Sequence, residues 1–243
     1  MNHAISLVTF WLISVPAFVL LVNNSVEVRS APTMPQSGYE RCFQDSELSE
    51  SLAALKLQFG PELNKVSQSL LTKARTAPRC RTQLVQALIS AMEQATNSEA
   101  NQYKNFFLWQ HGASLLSDLK ATEALDLLIA NIDITDGWSA SISQSNFPAL
   151  AAILKIGSPA IAKLQLVLSN DSNPVRRKFA AFAIAYIGGS QARRALTKAL
   201  PGETDPCVKN LVQISLQAFD NKEKPKRVSP ALNGKWLSAF YCL

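Results

Sequence analysis

From residue 45 onward apolar positions return every three to four residues, and no stretch alternates with the period of two that a half-buried strand requires. DSELSESLAALKLQF (45–59) carries acids in its first turn, Asp45 or Ser46 as a cap, and Leu52, Leu55 and Phe59 along one side, which predicts a helix. Gly60-Pro61 breaks it, and Pro61 takes the first position of a second helix, PELNKVSQSLLTKA. Pro78 opens a third, PRCRTQLVQALISAMEQA, with Leu84, Ala87, Leu88 and Ala91 at helical spacing. NQYKNFFLWQHGASLLSDL and ATEALDLLIANI predict a helix pair joined by a tight turn at Lys120. Residues 132–146 read as one long irregular link. Beyond them, short helices are punctuated by Gly157-Ser158-Pro159, Asn170 to Pro174, Gly188-Gly189 and Pro201 to Pro206.

This last section repeats. Pro174 and Pro206 lie 32 residues apart, as do Leu164 and Leu196, and AILKIG (152–157) aligns with AIAYIG (183–188) at an offset of 31. A period near thirty built of helix–turn–helix units predicts an all-α fold, an α-solenoid of antiparallel helix pairs. FAAFAIAYI (179–187) is apolar all round, as suits a helix enclosed by its partner and two neighbouring units.

IGSPAIAKLQLVLSNDSNPVRRKFAAFAIAYIGGSQARRALTKALPGETDPCVKNLVQISLQAF resembles HEAT-like repeats, including the subtype found in phycobilisome lyases and many bacterial proteins. The resemblance is clear over 147–219 and looser over 103–219. It implies architecture and says little of activity. The family places a cation, preceded by Val, seven residues before a buried Leu or Ile. Val208 and Lys209 ahead of Leu216 fit, and Arg177 ahead of Ile184 fits, so Lys209 and Arg177 are expected as structural repeat cations. Arg176 stands where Val is expected.

The head, AISLVTFWLISVPAFVLLV (4–22), is apolar and uncharged. It is just long enough to span a membrane, yet Pro16, Ser6, Thr9 and Ser14 interrupt it, and small residues precede Ala31 as they do at a signal cleavage site. A cleaved signal peptide is favoured over a retained anchor, which would allow membrane contact through 4–22. Either places the remainder outside the cytosol. The chain then divides into head (1–30), flexible lead-in (31–40), N-terminal helical portion (41–102), repeats (103–220), and a basic linker with a capping tail (221–243). Export gives the four cysteines meaning. Disulfides Cys42–Cys80 and Cys207–Cys242 are expected, each within one end of the chain, with four buried thiols as the alternative.

Charge is concentrated. Residues 163–198 carry Lys163, Arg176, Arg177, Lys178, Arg193, Arg194 and Lys198 against the single acid Asp171, a net +6 that equals the formal charge of the whole 243-residue chain. Nucleic acid is excluded as a partner by export and by the lack of aromatics interleaved with the cations. Asn173 as cap and Pro174 at the first position put Arg176, Arg177 and Lys178 at the positive end of a helix, where cations are disfavoured by a few tenths of a kcal/mol each. Either acids of the fold offset this, Asp171 being nearest in sequence, or an anionic partner does. Arg193, Arg194 and Lys198 fall on the polar side of the next helix, opposite Ala192, Ala195, Leu196 and Leu200.

Catalytic chemistry finds no foothold. His111 and His3 are the only histidines, His111 sits among apolar residues, and no cysteine pair has zinc spacing, so neither metal nor cofactor is expected. Glu123 and Asp126 suit the start of a helix, and Gly188-Gly189 is a helix stop. The expectation is a non-catalytic extracytoplasmic scaffold for a protein partner, with Arg176, Lys178, Arg193 and Arg194 as a basic binding ridge and Trp109 and Trp138 as aromatic anchors. The alternatives are a lyase-like cofactor-attachment or enzyme-accessory factor, and a membrane-anchored surface protein.

Overall fold

The computed structural model describes residues 42–57, 60–97, 102–135 and 146–220. Among them run ten α-helices and no strand: α1 (Asp45–Ala54), α2 (Pro61–Thr76), α3 (Pro78–Thr96), α4 (Gln102–Asp118), α5 (Leu125–Ala130), α6 (Pro148–Ile156), α7 (Ile161–Asn170), α8 (Pro174–Ile187), α9 (Gly189–Ala199) and α10 (Pro206–Asp220). Proline opens α2, α3, α6, α8 and α10, where its missing N–H has no intrahelical partner to lose and its fixed φ suits the first turn.

Two predicted elements differ from what is found. The first helix ends at Ala54 rather than continuing to 59, and its cap position is Gln44, with no side-chain cap bond; Asp45 is already helical. The predicted helix 121–132 divides into a 3-10 turn at Thr122–Ala124 and the six-residue α5. The turn at Lys120 has a left-handed φ of 50°, as the tight connection requires.

Neighbouring helices pack in order. α1 lies on α2 and α3, α3 on α4, α6 on α4, α8 on α6, and α10 on α8, while α7 touches both α5 and α9. α8 is the most enclosed, packing on α6, α7, α9 and α10, and all residues from Phe179 to Ala185 are buried. That accounts for its apolar circumference. The core is continuous from Phe43 through Leu84, Leu88, Leu116, Leu128 and Leu150 to Leu164, Ile184, Leu196 and Leu211. Each such leucine or isoleucine contributes about 1.5–3 kcal/mol by leaving water.

Cys42 and Cys80 form a disulfide, with Cα atoms 5.1 Å apart, so that expected pair is present. Gln83 fastens the same place: its side chain accepts from the Phe43 N–H at 3.3 Å and donates to the Phe43 carbonyl at 3.1 Å. Cys207 is also disulfide-bonded. Its expected partner Cys242 lies outside the described residues, as do the head, the lead-in and the tail after 220. Among the described residues no single helix is long and apolar enough to cross a membrane.

Candidate functional site

The basic stretch is built from its turn upward. Asp171 Oδ1 accepts the Asn173 N–H and Asn173 Oδ1 accepts the Val175 N–H, both at 2.9 Å, which starts α8 as expected. Arg177, on the first turn, donates from Nε and Nη2 to the two carboxylate oxygens of Glu203, each at 2.9 Å. Its Nη1 also donates to the carbonyls of Asp171 and Ser172 at 2.9 and 3.2 Å. Glu203 is buried, and its Oε1 also accepts the Asp205 N–H at 2.8 Å. Asp205 in turn caps α10 through the N–H groups of Cys207 and Val208. The carboxylate raises the Arg177 pKa further above its ordinary value. Arg177 thereby ties the start of α8 to the turn before α10.

Arg176 also turns inward. Its Nη2 donates to the Ile129 carbonyl at 3.4 Å and its Nε lies 3.4 Å from Asp171 Oδ2, a charge contact that leaves Nε without a hydrogen bond. Arg193 pairs with Asp220 on α10. Lys178 is half-buried and engaged. Lys209 is exposed near the start of α10. Of the expected ridge, Arg176 and Lys178 are half-buried, whereas Arg193, paired with Asp220, and Arg194 are exposed.

The aromatic expectation is corrected at Trp109. It is 0% exposed, because its place on α4 faces the core, so it cannot anchor a partner at the surface. Its indole N–H has no hydrogen-bond partner. Trp138 lies outside the described residues. His111 stacks on Phe107 with ring centroids 6.4 Å apart. Burial pushes its pKa below the ordinary imidazole value, opposed by a hydrogen bond with the Leu57 backbone. No group of three or more His, Cys, Asp or Glu side chains among the described residues could hold a metal.

The surface feature that sequence reasoning missed is a groove of about 420 Å³ across α4, α6 and α8. Gln110 and Ser114 of α4, Lys155 of α6 and Tyr186 of α8 supply its polar wall, and Pro148 and Ala151 its apolar floor. Beside it Lys155 Nζ pairs with Asp118 at 2.5 Å and Lys120 donates to the Lys155 carbonyl, so α4 and α6 are stitched together. A signal for it does exist in the sequence. Asp118, Lys155 and Tyr186 each stand two residues before a left-handed stop, at Lys120, Gly157 and Gly188, with φ of 50°, 87° and 74°. Of these three, Lys155 and Tyr186 line the groove, and Asp118 lies beside it, paired with Lys155.

Chemically the groove offers an ammonium, a phenol, an amide and the hydroxyls of Ser114 and Ser117 around small apolar residues. It can accept and donate hydrogen bonds and bury methyl-sized groups. No protein-family model matches the chain, and no curated protein or solved structure matches it.

Proposed function

We propose that the chain is an exported, non-catalytic scaffold of HEAT-like repeats, an α-solenoid, that binds a protein partner in the groove across α4, α6 and α8. The observation that carries this reading is the groove itself, lined jointly by α4, α6 and α8 with a mixture of polar and small apolar side chains. The contact order of the helices, α4–α6–α8–α10 with α5, α7 and α9 behind, supports repeat architecture. The Cys42–Cys80 disulfide supports an oxidising compartment. An extended segment with small apolar and amide side chains suits a groove of this lining, because backbone groups would meet Gln110, Ser114 and Tyr186.

The test is partner capture by crosslinking in the native host, comparing wild type with Gln110→Arg/Ser114→Arg and with Arg194→Glu/Lys198→Glu. Circular dichroism checks that each variant is folded. A protein lost only from the groove variant supports the reading. One lost only from the second variant moves the docking surface to the remaining cations, and one retained by both removes the groove from consideration.

A further inference from the structure

α1 is fixed covalently at one end and lightly at the other. Ahead of it, the Cys42–Cys80 bond and both Gln83 hydrogen bonds to Phe43 hold the chain to α3. Within α1 only Leu48 is buried, and Leu55 follows it into the core. The turn after it meets His111 of α4, which hydrogen-bonds the Leu57 backbone. We infer that His111 is an acid-released latch: neutral, it holds the turn after α1 against α4, and protonated, it lets that turn go.

The surroundings of the ring support this. His111 Nε2 is buried and has no hydrogen-bond partner among the described residues. The bond to Leu57 favours the charged ring, so the Leu57 carbonyl accepts and Nδ1 donates, leaving Nε2 a bare acceptor. One proton satisfies this arrangement. A second would put an N–H and a charge at Nε2 with nothing to receive them, which is costly away from water. Phe107 gives no relief, because its ring centroid is 6.4 Å away, beyond the roughly 6 Å reach of a cation–π contact. The charged side chains on the elements around this end of α4 are Glu50 of α1, Lys56 after it, Glu62 and Lys65 of α2, Glu93 of α3 and Lys155 of α6. All are exposed, and none of them shifts the ring.

Burial lowers the His111 pKa and outweighs the opposing Leu57 carbonyl. Because the folded value is the lower one, the latch holds above the ordinary imidazole value of 6.5, and its grip is lost as pH falls from there through the folded value. Release has a structural consequence. α1 and its following turn wall a recess of about 400 Å³, with Leu52 and Lys56 on one side and Ala91 and Gln94 of α3 on the other. An open latch removes that wall and bares Leu52 and Ala91, while the disulfide keeps α1 attached.

The experiment uses the intact protein. Amide hydrogen exchange, corrected for the intrinsic effect of pH, is compared at pH 7 and 5.5 in wild type and His111→Asn. The variant keeps an amide donor for the Leu57 carbonyl and removes the titration. Opening of residues 52–57 should rise severalfold on acidification in wild type, by at most about tenfold per pH unit, with α8 unchanged. It should stay flat in the variant. A rise of the same size in His111→Asn, no rise in wild type, or an equal rise in α8 overturns the latch. Should the variant not fold, proton NMR of wild type decides, with His3→Ala telling the two histidines apart. A His111 midpoint below 6.5 that coincides with the exchange transition supports the latch, and a midpoint at or above 6.5 overturns it.

Discussion

Arg177 on α8 and Glu203 in the turn before α10 meet fork to fork, with both nitrogen–oxygen distances at 2.9 Å and only 13% and 2% of the side chains exposed. A pair this buried is worth little against an apolar substitute, but removing one member strands a charge out of water. Glu203→Ala should therefore destabilise the fold by about 3–5 kcal/mol, and Arg177→Met should recover part of that loss in the double variant. Urea unfolding of the four proteins gives the coupling; additive losses would show that the two residues act separately.

Arg81 repeats the device at the other end. It donates to both carboxylate oxygens of Glu123, at 2.6 and 3.1 Å, and to the carbonyls of Leu119 and Lys120. The hydrogen bond from Arg81 holds the Glu123 pKa down, from 4.5 to about 2. Because the folded value is the lower one, the pair stabilises the fold above the unfolded value and the gain is lost as pH falls from about 5 to about 2. Glu123 is 43% exposed, so solvent screening limits the effect to about 1 kcal/mol or less. Glu123→Gln should flatten that part of the stability–pH curve, and carbon-detected titration of the Glu123 carboxyl should give a midpoint well below that of an ordinary glutamate.

Gly188 closes α8 at φ 74° and ψ −169°, a region open essentially to glycine alone. A Cβ there would meet nothing closer than 3.9 Å, so the cost of Gly188→Ala is one of backbone strain, about 1–3 kcal/mol. Lys120, at φ 50°, stands in the left-handed helical region that other residues tolerate. Lys120→Gly should leave stability within about 1 kcal/mol of wild type. Thermal melts of the two variants decide it, and a melting point unchanged by Gly188→Ala would contradict the assigned backbone.

Reduction of Cys42–Cys80 removes a cross-link over 38 residues and should cost about 2–4 kcal/mol. Hydrogen exchange after Cys42→Ser/Cys80→Ser should rise first in α1, which is held to the rest of the fold by its packing on α2 and α3. Uniform loss of protection across all helices would mean that the bridge stabilises the whole fold and not this end.

Most elements were legible because prolines, glycines and apolar spacing are local signals. Pro61, Pro78, Pro174 and Pro206 begin helices where expected, and Phe179–Ala185 is buried as its composition requires. The end of α1 and the division before α5 were not, because both depend on how a short segment is held by its neighbours. The basic stretch was half legible. Its cations were plain, but the acids that hold two of the arginines, Glu203 and Asp220, lie 26 and 27 residues further on. Trp109 was misplaced because an aromatic on an apolar helix reads the same whether it faces core or solvent. The groove was missed because it belongs to three helices, and of the residues standing two before each stop only Lys155 and Tyr186 line it.

The bridge from Cys42 to Cys80 also decides how the fold bears a mechanical load. Tension arriving along the chain from its N-terminal side crosses the sulfur atoms and enters α3 directly. α1 and α2 hang off that load path, and the 38-residue separation between the cysteines, about 130 Å of extended chain, cannot be paid out while the bond is intact. Under an oxidising tether the first part of the fold to feel a pull is α3, gripped through Arg81 to the turn beyond α4.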